Sequence, residues 1–105
     1  MRYNKIITHS GVHHADEVSA IVTVFKSLGY KLPIERKISV TQEELDDPSV
    51  LILDIGRNYN PTLGNFDHHQ GANLPATNIL VLDYFFNDEF IKDKLKQSFY
   101  IILAI

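Results

Sequence analysis

Val50-Leu51-Ile52-Leu53-Asp54-Ile55 is the stretch on which the fold turns. Four aliphatic residues follow one another without polar alternation. A strand of that kind has both faces buried, as in the middle of a parallel sheet. The aspartate falls near the carboxyl end of the run, the edge at which open parallel sheets carry their sites.

Working outward, residues 3–8 read as an earlier strand centred on Ile6 and Ile7. A loop of small and polar residues follows, and then a helix over residues 16–28. Val18, Ile21, Val22, Phe25 and Leu28 recur there at helical spacing and predict a single apolar face. Gly29 is the expected stop. Residues 33–40 read as another strand. Thr41 with Glu44 three positions on has the form of a capping box opening a short helical turn before Pro48. Downstream, residues 56–64 read as a loop and 65–67 as a short strand. Residues 76–86 read as a helix, and Asn87 as the cap of another over residues 88–97. In that last helix Asp88 and Lys92 stand at attractive i,i+4 spacing. Tyr84, Phe85, Phe86 and Phe90 read as core. Strands alternating with helices predict an α/β domain with a mostly parallel sheet.

Composition sets the bounds. A chain of 105 residues fits one domain, and an apolar fraction of 45% is ordinary for a globular protein. Formal net charge is -3, so there is no global basic footprint for nucleic acid. The absence of cysteine excludes disulfides and thiolate metal sites. No apolar run reaches the roughly 20 residues that span a bilayer, and the polar start, residues 1–5, is no secretory signal. A cytoplasmic protein without a membrane partner is expected.

The five histidines fall into two clusters, His9, His13 and His14 after the first strand and His68 and His69 after the strand over 65–67. Asp16 and Glu17 follow the first cluster by two residues, and Asp54 ends the central strand. Each group maps to the same edge of the expected sheet. Imidazole with carboxylate suits Mn, Fe, Zn or Co. The donors outnumber what one ion needs, and two ions roughly 3.5–4 Å apart are the usual hydrolytic arrangement. Asp54 is the natural bridge between them. Glu17 reads most simply as a favourable charge in the first helical turn, and Arg57 as an exposed loop residue. A mononuclear site of two histidines and a carboxylate also fits by donor type, though the Asp67-His68-His69 triplet and the Asp54 strand argue against it.

Thr8-His9-Ser10-Gly11-Val12-His13-His14-Ala15-Asp16-Glu17 resembles the first motif of the Myg1-like branch of the DHH phosphoesterase superfamily. Leu53-Asp54-Ile55-Gly56, with Tyr59, Pro61 and Phe66-Asp67-His68-His69-Gln70, resembles its second and third motifs in order and spacing. The resemblance runs over residues 5–86, and His13 stands where that branch has an aromatic residue. It implies a Rossmann-like three-layer domain with His9, His14, Asp16, Asp54 and His68 as metal ligands. Asp67 and His69 would belong to the catalytic motif, His69 as phosphate contact or proton donor; Asp67 reads equally as a group that orients a histidine. The implied cofactor is a pair of divalent ions, Mn²⁺ first, with Mg²⁺, Co²⁺ or Zn²⁺ as substitutes. The implied activity is phosphodiester hydrolysis of RNA or DNA, exonuclease-like, with single-stranded nucleic acid as partner.

A small-molecule pyrophosphatase or cyclic-dinucleotide phosphodiesterase would share the same site plan. Members of that branch continue into a further aspartate motif and a C-terminal substrate-binding domain. This sequence stops at Ile105 in the apolar run Tyr100-Ile101-Ile102-Leu103-Ala104-Ile105. The expectation is an incomplete N-terminal catalytic domain over residues 1–105. A non-catalytic metal-binding or interaction module, forming a homodimer through that apolar end, is the reading from another class.

Overall fold

In the computed structural model, residues 2–71 and 73–104 are described, with side chains through residue 97. The apolar ending of the chain therefore lies outside the described side chains. The elements are β1 (Lys5–His9), α1 (Ala15–Leu28), β2 (Ile34–Lys37), α2 (Gln42–Leu45), β3 (Val50–Leu53), β4 (Tyr59–Asn60), a 3-10 turn (Pro61–Leu63), β5 (Asn65–Phe66), α3 (Thr77–Phe85) and α4 (Glu89–Ala104). Among these residues the sheet has the order β2-β1-β3-β5-β4. Four strands run parallel, and β4 returns antiparallel on β5.

The aliphatic run of β3 lies between β1 and β5, and all four of its residues are buried. Alternate residues feed two cores. Ile6, Leu51, Leu53 and Phe66 meet Ile21 and Val24 of α1 and Leu80 and Val81 of α3 on one face. Ile7, Val50 and Ile52 meet Val40, Leu45 and Ile55 on the other. The molecule is thus an α/β sandwich of three layers, thin on the α2 side. From β1 the chain turns one way to β2, and from β3 the other way to β5. A crevice opens between the carboxyl ends of neighbouring strands whose connections diverge in this manner.

Four expectations need correction. Residues 56–64 are not simply loop, because Tyr59–Asn60 pairs with β5 and shields that edge. The apolar face of α1 is rotated, leaving Val18 and Val22 on the surface while Ser19, Ala20 and Thr23 are buried. The cause is the close packing of α1 on α3. Small residues permit the approach, and both hydroxyls are satisfied within the helix, Ser19 Oγ donating to Ala15 O at 2.6 Å and Thr23 Oγ1 to Ser19 O at 2.7 Å. Phe90 and, on one side, Tyr84 are exposed rather than core, whereas Phe85 packs against Tyr3, Phe66 and Tyr84. Finally, α4 continues to Ala104 and is capped by Asp88, not Asn87: Asp88 Oδ1 accepts from the amides of Phe90 and Ile91. With Asp88 so engaged, Lys92 pairs with Glu89 instead.

Candidate metal centre

β1 ends on His9, and β3 runs directly into Asp54, so neighbouring parallel strands deliver an imidazole and a carboxylate to one edge. β5, beside β3, delivers Asp67, His68 and His69 immediately after Phe66. The first turn of α1 brings Asp16 and Glu17.

Asp54 lies at the centre. His9 Nε2 is 3.2 Å from its Oδ2, and His68 Nε2 is 3.3 Å from its Oδ1. The same His68 nitrogen lies 3.4 Å from Asp16 Oδ2. A cleft of about 220 Å³ opens over this group, lined by His9, His14, Asp54 and His69. One ligand atom from each of Asp54, Asp67, His68 and His69 lies within 4.8 Å of the others. All seven residues singled out from the sequence therefore gather at one edge. His14 is the most peripheral of the proposed ligands, an exposed N-cap of α1 whose ring centroid is 5.4 Å from that of His9.

The local backbone is built to hold this geometry. Asp54 (φ 62°) and Arg57 (φ 52°) both occupy the left-handed region, where a non-glycine residue is held only by its surroundings and which clusters at functional sites. The holding bonds are visible: the Asp54 amide donates to Phe66 O at 2.9 Å, and the Arg57 amide to Asp67 Oδ2 at 2.7 Å. Asp67, fully buried, also accepts from the amides of His68 and His69 and from His69 Nδ1. Its carboxylate orients the triplet, and Asp67 also stands within the group of donors that could hold a metal ion.

Burial raises the Asp54 carboxyl above its ordinary range, and the Asp16 charge raises it further, against the opposing pull of His69, His9 and His68. Two neighbouring carboxylates, with no lysine or arginine on either among the described residues, call for a cation. His9 makes the same demand from the other side. Its Nδ1 lies 3.1 Å from Ser10 O, and since a carbonyl only accepts, that nitrogen carries the proton. In the neutral Nδ1–H tautomer, Nε2 presents a lone pair, buried and without a hydrogen-bond partner, toward a carboxylate oxygen. Two electron-rich atoms so placed fit a metal ion held between them.

Two residues at this edge, Arg36 and Thr77, escaped sequence reasoning, and a third has a different role from the one its position predicts. Glu17 is not a surface charge but a fully buried carboxylate, ion-paired with Arg36 on β2. Thr77 Oγ1 is 3.3 Å from Asp54 Oδ1 and 3.2 Å from Phe66 O. No local pattern marks Arg36 or Thr77, since each meets the site only through the tertiary fold. His13 remains exposed, with Nδ1 3.8 Å from Glu17 Oε1.

The model of one protein family, MYG1_exonuc, described as Uncharacterised protein family (UPF0160), matches residues 5–77. That span includes every residue of the site. No curated protein and no solved structure matches the chain.

Proposed function

We propose, for a chain that belongs to the MYG1_exonuc family, a metal-dependent phosphoesterase of the DHH type that hydrolyses phosphodiester bonds of RNA or DNA from an end. The observation that carries this reading is the convergence on Asp54 of His9 and His68, with Asp16 beyond His68. The abbreviation exonuc in the family's name suggests the same direction.

His9, His14, Asp16, Asp54 and His68 are the residues that would hold two divalent ions, manganese by preference. Imidazole mixed with carboxylate suits Mn²⁺, Fe²⁺, Zn²⁺ or Co²⁺ rather than Ca²⁺, and the family resemblance puts Mn²⁺ first among them. When bound, such ions supply Lewis acidity toward phosphate oxygens and acidify water near neutral pH. The protein's own part is positioning. Asp54, buried at a strand end, reaches toward both histidines at once. Asp67 engages His69 Nδ1 and so fixes the ring. In the imidazolium form of His69 the other nitrogen, Nε2, also carries a proton and can donate it to a phosphoryl oxygen or to the leaving oxygen as charge develops there. His69 is half exposed and lines the cleft, where a phosphate can meet it.

The test combines Mn²⁺ titration by calorimetry with hydrolysis of bis(p-nitrophenyl) phosphate and of end-labelled single-stranded RNA and DNA. Two ions per chain and release of mononucleotides are expected, abolished by a chelator. His69→Ala should lower kcat by about 10²–10⁴-fold while leaving Mn²⁺ stoichiometry unchanged. Preference for pyrophosphate or a cyclic dinucleotide, assayed alongside, would redirect the substrate assignment. Binding without turnover of any of these would leave a metal-binding module, and no binding would overturn the reading.

A further inference from the structure

One polar cluster at the site takes no part in the reaction just proposed. Glu17, fully buried in the first turn of α1, requires a partner to offset its desolvation. Thr8 Oγ1 is 3.2 Å from Glu17 Oε2, but its single proton has a closer acceptor in Leu53 O at 2.7 Å. The carboxylate therefore depends on Arg36, whose Nη1 lies 3.0 Å from Oε1 and 2.9 Å from Oε2.

That same Nη1 donates to the main-chain oxygen of His9 at 3.2 Å. A single guanidinium nitrogen, reaching from β2, thus ties the last residue of β1 to the first turn of α1. Between those two points runs the loop that carries His13 and His14. Glu17 Oε1 in turn faces His9 Nε2 at 4.0 Å and His13 Nδ1 at 3.8 Å, too far for direct hydrogen bonds but within charge reach. As a stabilising device alone the pair has little to recommend it, because buried ion pairs roughly break even against apolar residues of similar volume. Its one main-chain connection is to His9, and the His9 and His13 rings both lie within charge reach of Glu17.

We propose that Glu17 and Arg36 are positioning residues that clamp His9. They hold its imidazole so that Nδ1 donates to Ser10 O and Nε2 faces Asp54. The metal assignment of the preceding section enters only through the second of two readouts. The first is metal-free: long-range ¹⁵N–¹H NMR of the full chain reads the His9 tautomer directly. The second is Mn²⁺ affinity by calorimetry.

The variant of choice is the double substitution Glu17→Gln with Arg36→Met, which removes the clamp without stranding a buried charge. Expected are a cooperative melt, loss of the single Nδ1–H tautomer at His9, and Mn²⁺ affinity lower by roughly 10–100-fold, the range for groups that orient a metal-binding histidine. Arg36→Lys keeps the cation but gives up the planar fork, and should fall between wild type and the double variant on both readouts. If the double variant fails to fold, Arg36→Lys decides the matter alone. A folded variant that keeps the wild-type tautomer overturns the clamp. Loss of the tautomer in a protein whose wild type binds no Mn²⁺ supports the clamp and removes the metal reading instead.

Discussion

Asp54 stands under two strains in the metal-free protein. Its backbone is left-handed, and its carboxyl is buried beside Asp16. Because its pKa is raised on folding, the native state binds a proton more readily than the unfolded chain. The corresponding stability is fully present below the ordinary value of 3.8 and is lost as pH rises through the higher folded value. Asp54→Asn removes that charge, and asparagine is at ease at positive φ. The variant should therefore melt about 2–6 °C higher than wild type in EDTA at pH 7, with a flatter pH dependence, and should bind Mn²⁺ poorly. A lower melting point would show that the carboxylate is not a burden in the folded protein. Asp16 carries a different load. Ala76 offers α3 no side-chain cap, and Asp16 supplies one from across the fold, accepting from the Asn78 amide at 2.7 Å and the Thr77 amide at 3.3 Å. Asp16→Ala should cost about 1 kcal/mol in denaturant unfolding, and Asp16→Asn only a few tenths. Equal losses in the two variants would mean that charge, not capping, is what Asp16 contributes to stability.

At the scale of elements, the turns that set the register of the sheet are the sensitive points. Gly64 follows the 3-10 turn at φ 79°, and a Cβ there would meet Val50 O at 2.7 Å. Its own carbonyl accepts from the Ile52 amide, so any shift propagates into the β3–β5 ladder. Gly29 ends α1 at a similar φ of 80°, yet nothing lies within 4 Å of its Cβ position. Both substitutions meet the left-handed penalty of about 1–2 kcal/mol for an L residue, but only Gly64→Ala adds a steric clash against backbone. Chemical denaturation should rank Gly64→Ala at about 2–4 kcal/mol of lost stability and Gly29→Ala near 1. Indistinguishable values would mean that the turn before β5 relaxes freely. The short α2 is secured differently, by the full Thr41–Glu44 capping box and by Lys37, whose Nζ lies 2.7 Å from Glu44 Oε2. Lys37 draws the Glu44 carboxyl below its usual range, with help from the Thr41 amide. Both partners are partly exposed, so that ion pair is screened and contributes little.

Taken whole, the molecule is small, and the buried Asp54 beside Asp16 weighs against folding at neutral pH. An ion that binds only the native state stabilises it by about 2.7 kcal/mol at 100 times its Kd. For a domain of this size that is a rise of roughly 10–20 °C in melting temperature. Thermal melts with saturating Mn²⁺ should show such a rise over EDTA, and His68→Ala should lose most of it. Identical melts with and without metal would speak against a site formed in the native state. Among the described residues, no helix is long and apolar enough to cross a membrane.

Much of this was legible in the sequence for a definite reason. An aliphatic run without alternation allows one environment, the buried middle of a parallel sheet, so Val50–Leu53 fixed the architecture and with it the edge where His9, Asp54 and His68 meet. The Thr41–Glu44 box was equally readable, because both partners lie within one turn of chain. Periodicity reports which residues are apolar but not how closely a neighbour approaches. Hence the buried face of α1 differs from the periodic one, because α3 packs closely on it and Asn78 Nδ2 donates to Ser19 Oγ. Long-range polar partners left no trace either. Asp16 caps a helix 61 residues away, Glu17 finds its cation 19 residues on, and nothing local to either residue foretells the meeting. The sequence by itself determined the kind of chemistry by placing imidazole and carboxylate at strand ends. Only the tertiary structure decided which of those groups face one another and which are held in place by something else, because that depends on distances through space rather than along the chain.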